Sequence, residues 1–122
     1  MPNQNNEETI VWQLEEVTYM ITYSLSHDIK CGKYNEAVAW AKERAAWVND
    51  QPNCKEPVTV HIPVVGKQDS LVFVQAFDSL DEMHSFQQAC EEDTTHQAKM
   101  SQGHEELFVE GSTESKLYKK VL

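Results

Sequence analysis

Five histidines, at positions 27, 61, 84, 96 and 104, and three cysteines, at 31, 54 and 90, are the side chains of this sequence best equipped for proton transfer, metal binding or nucleophilic attack. An imidazole titrates near neutrality, so its neutral form can take a proton and its cationic form can return it. Spacing sorts the five. His96 and His104 lie eight residues apart with Met100 midway. On a helix they share a face, but the rise sets the rings ~12 Å apart, whereas a zinc pair needs a spacing of three or four. One metal ion cannot readily take both. Met100 with either histidine would make an axial set for haem, and a half-buried interhelical face is the plainer reading. His84 falls early in a helix beside its apolar stripe and reads as a surface residue. His27 and Asp28 follow the first strand and read as a solvated turn. His61 remains as the candidate acid–base group. It sits in an alternating segment, where a neutral imidazole aimed into a cavity can act as a general base or orient a carbonyl. The plainer reading of His61 is a histidine hydrogen-bonded within a subunit interface.

The cysteines are odd in number, widely spaced and without a Cys-x-x-Cys pair, so each reads as a small, partly buried hydrophobe. The run Glu91-Glu92-Asp93 reads as a solvated helix end. No Gly-rich phosphate loop, nucleophile elbow or Ser/His/Asp order occurs. Twenty acidic and ten basic residues leave a formal charge of −10. That balance opposes attraction to nucleic acid and to anionic membranes, and neither partner is expected. Apolar runs are too short to span a bilayer, and the opening Met-Pro-Asn-Gln-Asn-Asn has no signal-peptide character. A reducing cytoplasm is therefore expected.

These side chains need a scaffold, and 122 residues suffice for one domain with its own core. Residues 1–16 read as an N-terminal arm, polar at first and then carrying Ile10, Val11, Trp12 and Leu14; residues 17–122 read as the domain. Val17 to Leu25 alternates, with Val17, Tyr19, Ile21, Tyr23 and Leu25 on one side and Thr18, Met20, Thr22 and Ser24 on the other, which predicts a strand. From Lys33 to Asn49 the period becomes helical. Tyr34, Ala37, Val38, Ala41, Ala45 and Val48 form the inner stripe, and Trp40 and Trp47 flank it. Asp50 to Pro57 is a loop. Val58 to Val65 alternates again, and Pro63, which cannot donate a ladder hydrogen bond, places that strand at an edge. Gly66 to Asp69 turns the chain into the strand Leu71–Phe77. Ser79, three residues before Glu82, caps a helix that buries Leu80, Met83, Phe86 and Cys90. A further helix begins near Thr94, with Gly103 as its weak point. Gly111 suits a left-handed cap, and Ser115–Val121, rich in lysine, suits an exposed edge strand.

Strand, helix, strand, strand, helix, strand is the split βαβ order, which predicts an α+β, ferredoxin-like, four-stranded antiparallel sheet with helices on one face. Val17, Tyr19, Ile21, Tyr23, Val58, Val60, Ile62, Val64, Val72, Val74 and Ala76 are assigned to the covered side. The other side then carries Met20, Thr22, His61, Phe73, Gln75 and Phe77, too apolar a mixture to stand bare in water. A second copy of the sheet is the simplest cover, enclosing a space between the two.

The chain from about Val17 to Val121 resembles the dimeric α+β barrel superfamily of ferredoxin-like folds. That group includes NIPSNAP-like proteins, stress-responsive barrel proteins and the antibiotic-biosynthesis monooxygenase type. The resemblance is carried by Lys30-Cys31-Gly32-Lys33 before a long helix and by Phe77-Asp78-Ser79-Leu80-Asp81-Glu82 joining strand to helix. It extends to Glu106-Leu107-Phe108-Val109-Glu110-Gly111-Ser112-Thr113, which leads to Leu117-Tyr118. It implies a homodimer and activities that range from cofactor-free oxygenation and isomerisation to haem chemistry or none. The expectation is a small, largely apolar ligand between the sheets, lined by Met20, Thr22, Phe73, Gln75 and Phe77, with His61 as acid or base and no cofactor. A noncatalytic dimeric module is the alternative, and haem binding through His96 or His104 a third.

Overall fold

The computed structural model describes residues 19–67 and 69–122. Its elements are β1 (Ile21–Asp28), α1 (Tyr34–Asn49), β2 (Thr59–His61), β3 (Ser70–Phe77), α2 (Leu80–Glu91), α3 (Thr94–Leu107) and β4 (Glu114–Lys119). The strands form one antiparallel sheet in the order β2-β3-β1-β4. β1 and β3 are central, and the Pro63-limited and lysine-rich strands are the edges. The arm with Trp12, and Val17 and Thr18 of the first alternating segment, lie outside the described residues.

Local chemistry explains most of the boundaries. Ser79 accepts a hydrogen bond from the Glu82 amide and starts α2, as the cap pattern predicts. Asp93 does the same for His96 at the start of α3. α1 buries Ala37, Ala41, Ala45 and Val48, the small side chains that let it approach the sheet. Gly103 in α3 has a packing reason: a Cβ there would stand 2.6 Å from Trp40 Cδ1, so only glycine lets the indole lie against this helix. The Trp40 indole N–H donates to the Met100 carbonyl at 3.2 Å, locking α1 to α3.

Three boundaries differ from the sequence reading. β1 continues through Ser26, His27 and Asp28 instead of turning there, because these residues pair with Val72, Leu71 and Ser70 of β3. β2 is only three residues long, and Val64 and Val65 are exposed rather than part of a strand, since the ladder stops two residues short of Pro63. Gly111 does adopt a positive φ of 77°, but four residues past the helix end at Leu107, in the turn closed by the Ser112 amide on the Val109 carbonyl.

The larger correction concerns β3. Leu71, Phe73, Gln75 and Phe77 are all buried under the helices of their own subunit, each less than 9% exposed. Register requires it: they stand opposite His27, Leu25, Tyr23 and Ile21, the inward side of β1. Val72, Val74 and Ala76 therefore face outward. Both sides of this strand are apolar, so alternation alone does not choose between them. Burial of the larger leucine and phenylalanine side chains removes more apolar surface from water. Gln75 can accompany them because its amide donates to the Glu56 carbonyl at 3.0 Å.

Candidate functional site

The structure divides the residues expected to line one cavity. Met20, Thr22 and His61 are on the open face of the sheet, while Phe73, Gln75 and Phe77 are on the helical side. His61 is exposed, and its Nε2 lies 2.7 Å from the Thr59 hydroxyl on the same short strand. It lines neither the cavity under the helices nor the cleft beside the Pro52–Glu56 loop.

The cavity is on the covered side. It measures about 300 Å³ and lies between the sheet and all three helices. Tyr23, Leu25 and His27 of β1 and Phe73 and Gln75 of β3 form the floor. Trp40, Arg44 and Val48 descend from α1, while Phe86, Gln87, Cys90, Glu91 and Gln97 close it from α2 and α3. Its size lies at the lower end of the ~300–1,000 Å³ usual for small-molecule sites, and its walls combine apolar surface with a few polar groups. A second cleft of about 410 Å³ is lined by the Pro52–Glu56 loop, the end of β3 and the first turns of α2. It is bordered by Lys55, Asp81 and Glu82, and the lysine and Glu82 already pair with each other.

The chemical centre of the inner cavity is His27, which is 4% exposed. Its Nδ1 lies 2.9 Å from Thr113 Oγ1 and 3.1 Å from His104 Nε2, and those two atoms are 3.4 Å apart. The triangle joins β1, α3 and the connection into β4. That connection is stitched to the end of β1 by the Val109 amide on the Asp28 carbonyl and the Asp28 amide on Ser112 Oγ. Trp40, Phe73 and Phe108 surround the imidazole at centroid distances of 6.2, 6.0 and 5.0 Å. Burial in this aromatic box, with His104 adding to it, pushes the His27 pKa down to about 4. His27 is therefore a neutral base at physiological pH. Burial also lowers the pKa of His104. Burial raises those of the Tyr23 hydroxyl and the Cys90 thiol, keeping both protonated at neutral pH.

A second polar feature lies on α1. The Arg44 guanidinium sits 5.4 Å from the Trp47 ring centroid, and His96 stacks on the same indole at 3.7 Å with planes 8° apart. His96 and His104 thus belong to separate aromatic clusters, one on Trp47 and one beside Trp40 and His27. Arg44 Nη1 is buried without a hydrogen-bond partner, and so is His96 Nε2. Among the described residues no group of three or more His, Cys, Asp or Glu side chains is placed to hold a metal ion. None of their helices is long and apolar enough to cross a membrane.

Sequence reasoning missed His27 and Arg44. His27 was masked by Ser26 and Asp28, which resemble a turn. Continuing the β1 alternation by one step from Leu25 places it inward. Arg44 was signalled by being the only arginine in the chain, set between Trp40 and Trp47 on one helix.

No protein-family model matches the sequence, and no curated protein does. Among solved structures, a NIPSNAP family protein from Agrobacterium tumefaciens is similar with a TM-score of 0.66 at 19% identity, covering 81% of this chain and 90% of that one. A second NIPSNAP family protein of unknown function from the same organism gives 0.68 at 16% identity over 84% and 89%. A proposed antibiotic biosynthesis monooxygenase from Bordetella bronchiseptica gives 0.63 at 18% identity over 85% and 99%. The ferredoxin-like α+β fold of this chain is the fold of these proteins.

Proposed function

We propose that this chain binds a small, largely apolar molecule in the cavity between its sheet and its helices, with His27 in place of His61 as the group for proton transfer. The observation that carries the reading is a buried imidazole on the wall of a 300 Å³ space whose apolar lining includes Leu25, Trp40, Phe73 and Phe86. Both side-chain hydrogen bonds of His27 among the described residues run through Nδ1. In the tautomer that donates from Nδ1 into the triangle, Nε2 keeps a lone pair for a bound molecule. A proton taken there can be passed through His104 and Thr113 toward the exposed β4 end of the sheet. Burial weakens His27 as a base, so proton abstraction from an already acidic carbon or hydroxyl is the reaction class this favours. It serves an isomerase directly, and a cofactor-independent oxygenase as its first step.

Amide NMR of the full chain against a library of small aromatic and aliphatic compounds tests the reading. Shifts gathering on Tyr23, His27, Trp40 and Phe73 are expected, with affinity or turnover reduced in His27→Gln. Shifts gathering on Thr22, His61 and Val74 instead would return the site to the open face and overturn it.

A second reading concerns assembly and rests on the open face itself. Val72, Val74 and Ala76 are only half-buried, and Met20 and Tyr118 flank them at 38% and 52% exposure. A second copy of the chain is the proposed cover, with His61 and Thr22 in the interface rather than in a lumen.

A further inference from the structure

We propose that the molecule held in the cavity carries a carboxylate, and that Arg44 is its anchor. The inference rests on the cavity being the ligand site. Arg44 is the only arginine in a chain of net charge −10, yet no acidic side chain pairs with it among the described residues. Lysines make all of the ion pairs found there: Lys33, Lys55, Lys67, Lys99 and Lys116. Glu91 lines the same cavity without coming within 4.0 Å of the guanidinium nitrogens.

A half-buried cation whose Nη1 has no acceptor is an expensive arrangement unless something completes it. The Trp47 face offsets part of the charge but offers no acceptor in the plane of the fork. A planar guanidinium that lines the cavity without an acidic partner among the described residues matches a carboxylate in shape and charge. The rest of the cavity agrees except for Glu91, whose carboxylate repels a like charge. Gln87 and Gln97 stand with Arg44 among its polar lining, whereas Leu25, Trp40 and Phe73 would receive an apolar body. Burial lowers the guanidinium pKa from its usual value, which records the same uncompensated desolvation.

The test compares benzoate, phenylacetate and hexanoate with benzamide, phenylacetamide and hexanamide, titrated into the full chain and followed at the Trp40 indole and Gln97 amide resonances. Each acid is expected to bind about tenfold more tightly than its amide. Arg44→Met should remove that preference. Arg44→Lys, which keeps the charge but loses the fork, should keep only part of it, and it serves as the informative variant should Arg44→Met fail to fold. Equal affinity of acid and amide for the wild-type chain would overturn the anchor while leaving the cavity as a binding site. So would a preference that survives Arg44→Met. No response to any of the six compounds would overturn the cavity reading and this inference with it.

Discussion

His27 links stability to chemistry at the scale of one side chain. Its folded pKa of about 4 lies below the ~6.5 of an unhindered imidazole, so the unfolded chain takes up a proton first as pH falls. The contribution to stability is whole above pH ~6.5, declines as pH falls through the window and is gone below about 4. The full span is worth about 3 kcal/mol. His104, displaced in the same direction by burial, adds to the slope. Denaturant unfolding between pH 7.5 and 4 should therefore show a steeper loss in the wild-type chain than in His27→Gln. The variant should start lower, having lost its place in the triangle. Parallel curves for the two proteins would mean that the imidazole titrates as it does in water, and the argument for a buried base would fall. The cost is informative. A buried histidine at this position weakens the fold in mild acid, and an apolar side chain would not. Its presence is easier to explain by what it does to a bound molecule than by what it does for the core.

Among the elements, the contact between α1 and α3 positions that imidazole, and it depends on Gly103. Glycine inside a helix costs about 1 kcal/mol relative to alanine. Gly103→Ala would recover that amount if the site had room. It has none, because the new Cβ would meet the Trp40 ring at 2.6 Å, and the indole cannot retreat without giving up its bond to the Met100 carbonyl and its edge contacts with Phe73 and Phe108. Overpacking of this kind costs about 1–3 kcal/mol. Gly103→Ala is expected to be destabilising on balance and to shift the tryptophan fluorescence, with ligand response at Trp40 lost. A net gain in melting temperature would show that the helices have slack at this point. The same contact shows what could be read from residues alone. Periodicity and the Ser79 cap pattern located α1, the start of α2, the approximate start of α3, and the central and edge strands, because these depend on neighbours in sequence; the Asp93 cap of α3 read only as a solvated helix end. Gly103 read as a flaw in α3, since its purpose lies on another helix. The side of β3 that faces inward was misread for a related reason. Leu71, Phe73 and Phe77 compete with Val72, Val74 and Ala76, and the decision comes from pairing with β1 and from the Glu56 carbonyl that accommodates Gln75. Half of the residues proposed for the site kept their face. None of those three lies by the cavity.

On the scale of the whole molecule, exchanging the two sides of β3 alters the case for a twin subunit without removing it. Phenylalanines on the open face would have demanded a cover. Valines make a weaker but continuous apolar strip, with Val74 at its middle, opposite Ser24 on β1 and Thr59 on β2. Two chains of charge −10 repel each other, and salt screens that repulsion over about 10 Å at ~0.1 M. Apolar contact across the sheets is not screened. Association through this face should therefore strengthen as salt is raised, the reverse of a dimer built on ion pairs. Sedimentation at micromolar concentration should give about twice the 14.0 kDa chain mass, with Val74→Glu shifting it toward the monomer. That glutamate would point away from the core, so far-ultraviolet circular dichroism and the ligand response at Trp40 should stay as they are. A wild-type chain that sediments as a monomer at every salt concentration would sink the assembly. It would leave the cavity standing, because every described wall residue of that space comes from a single subunit.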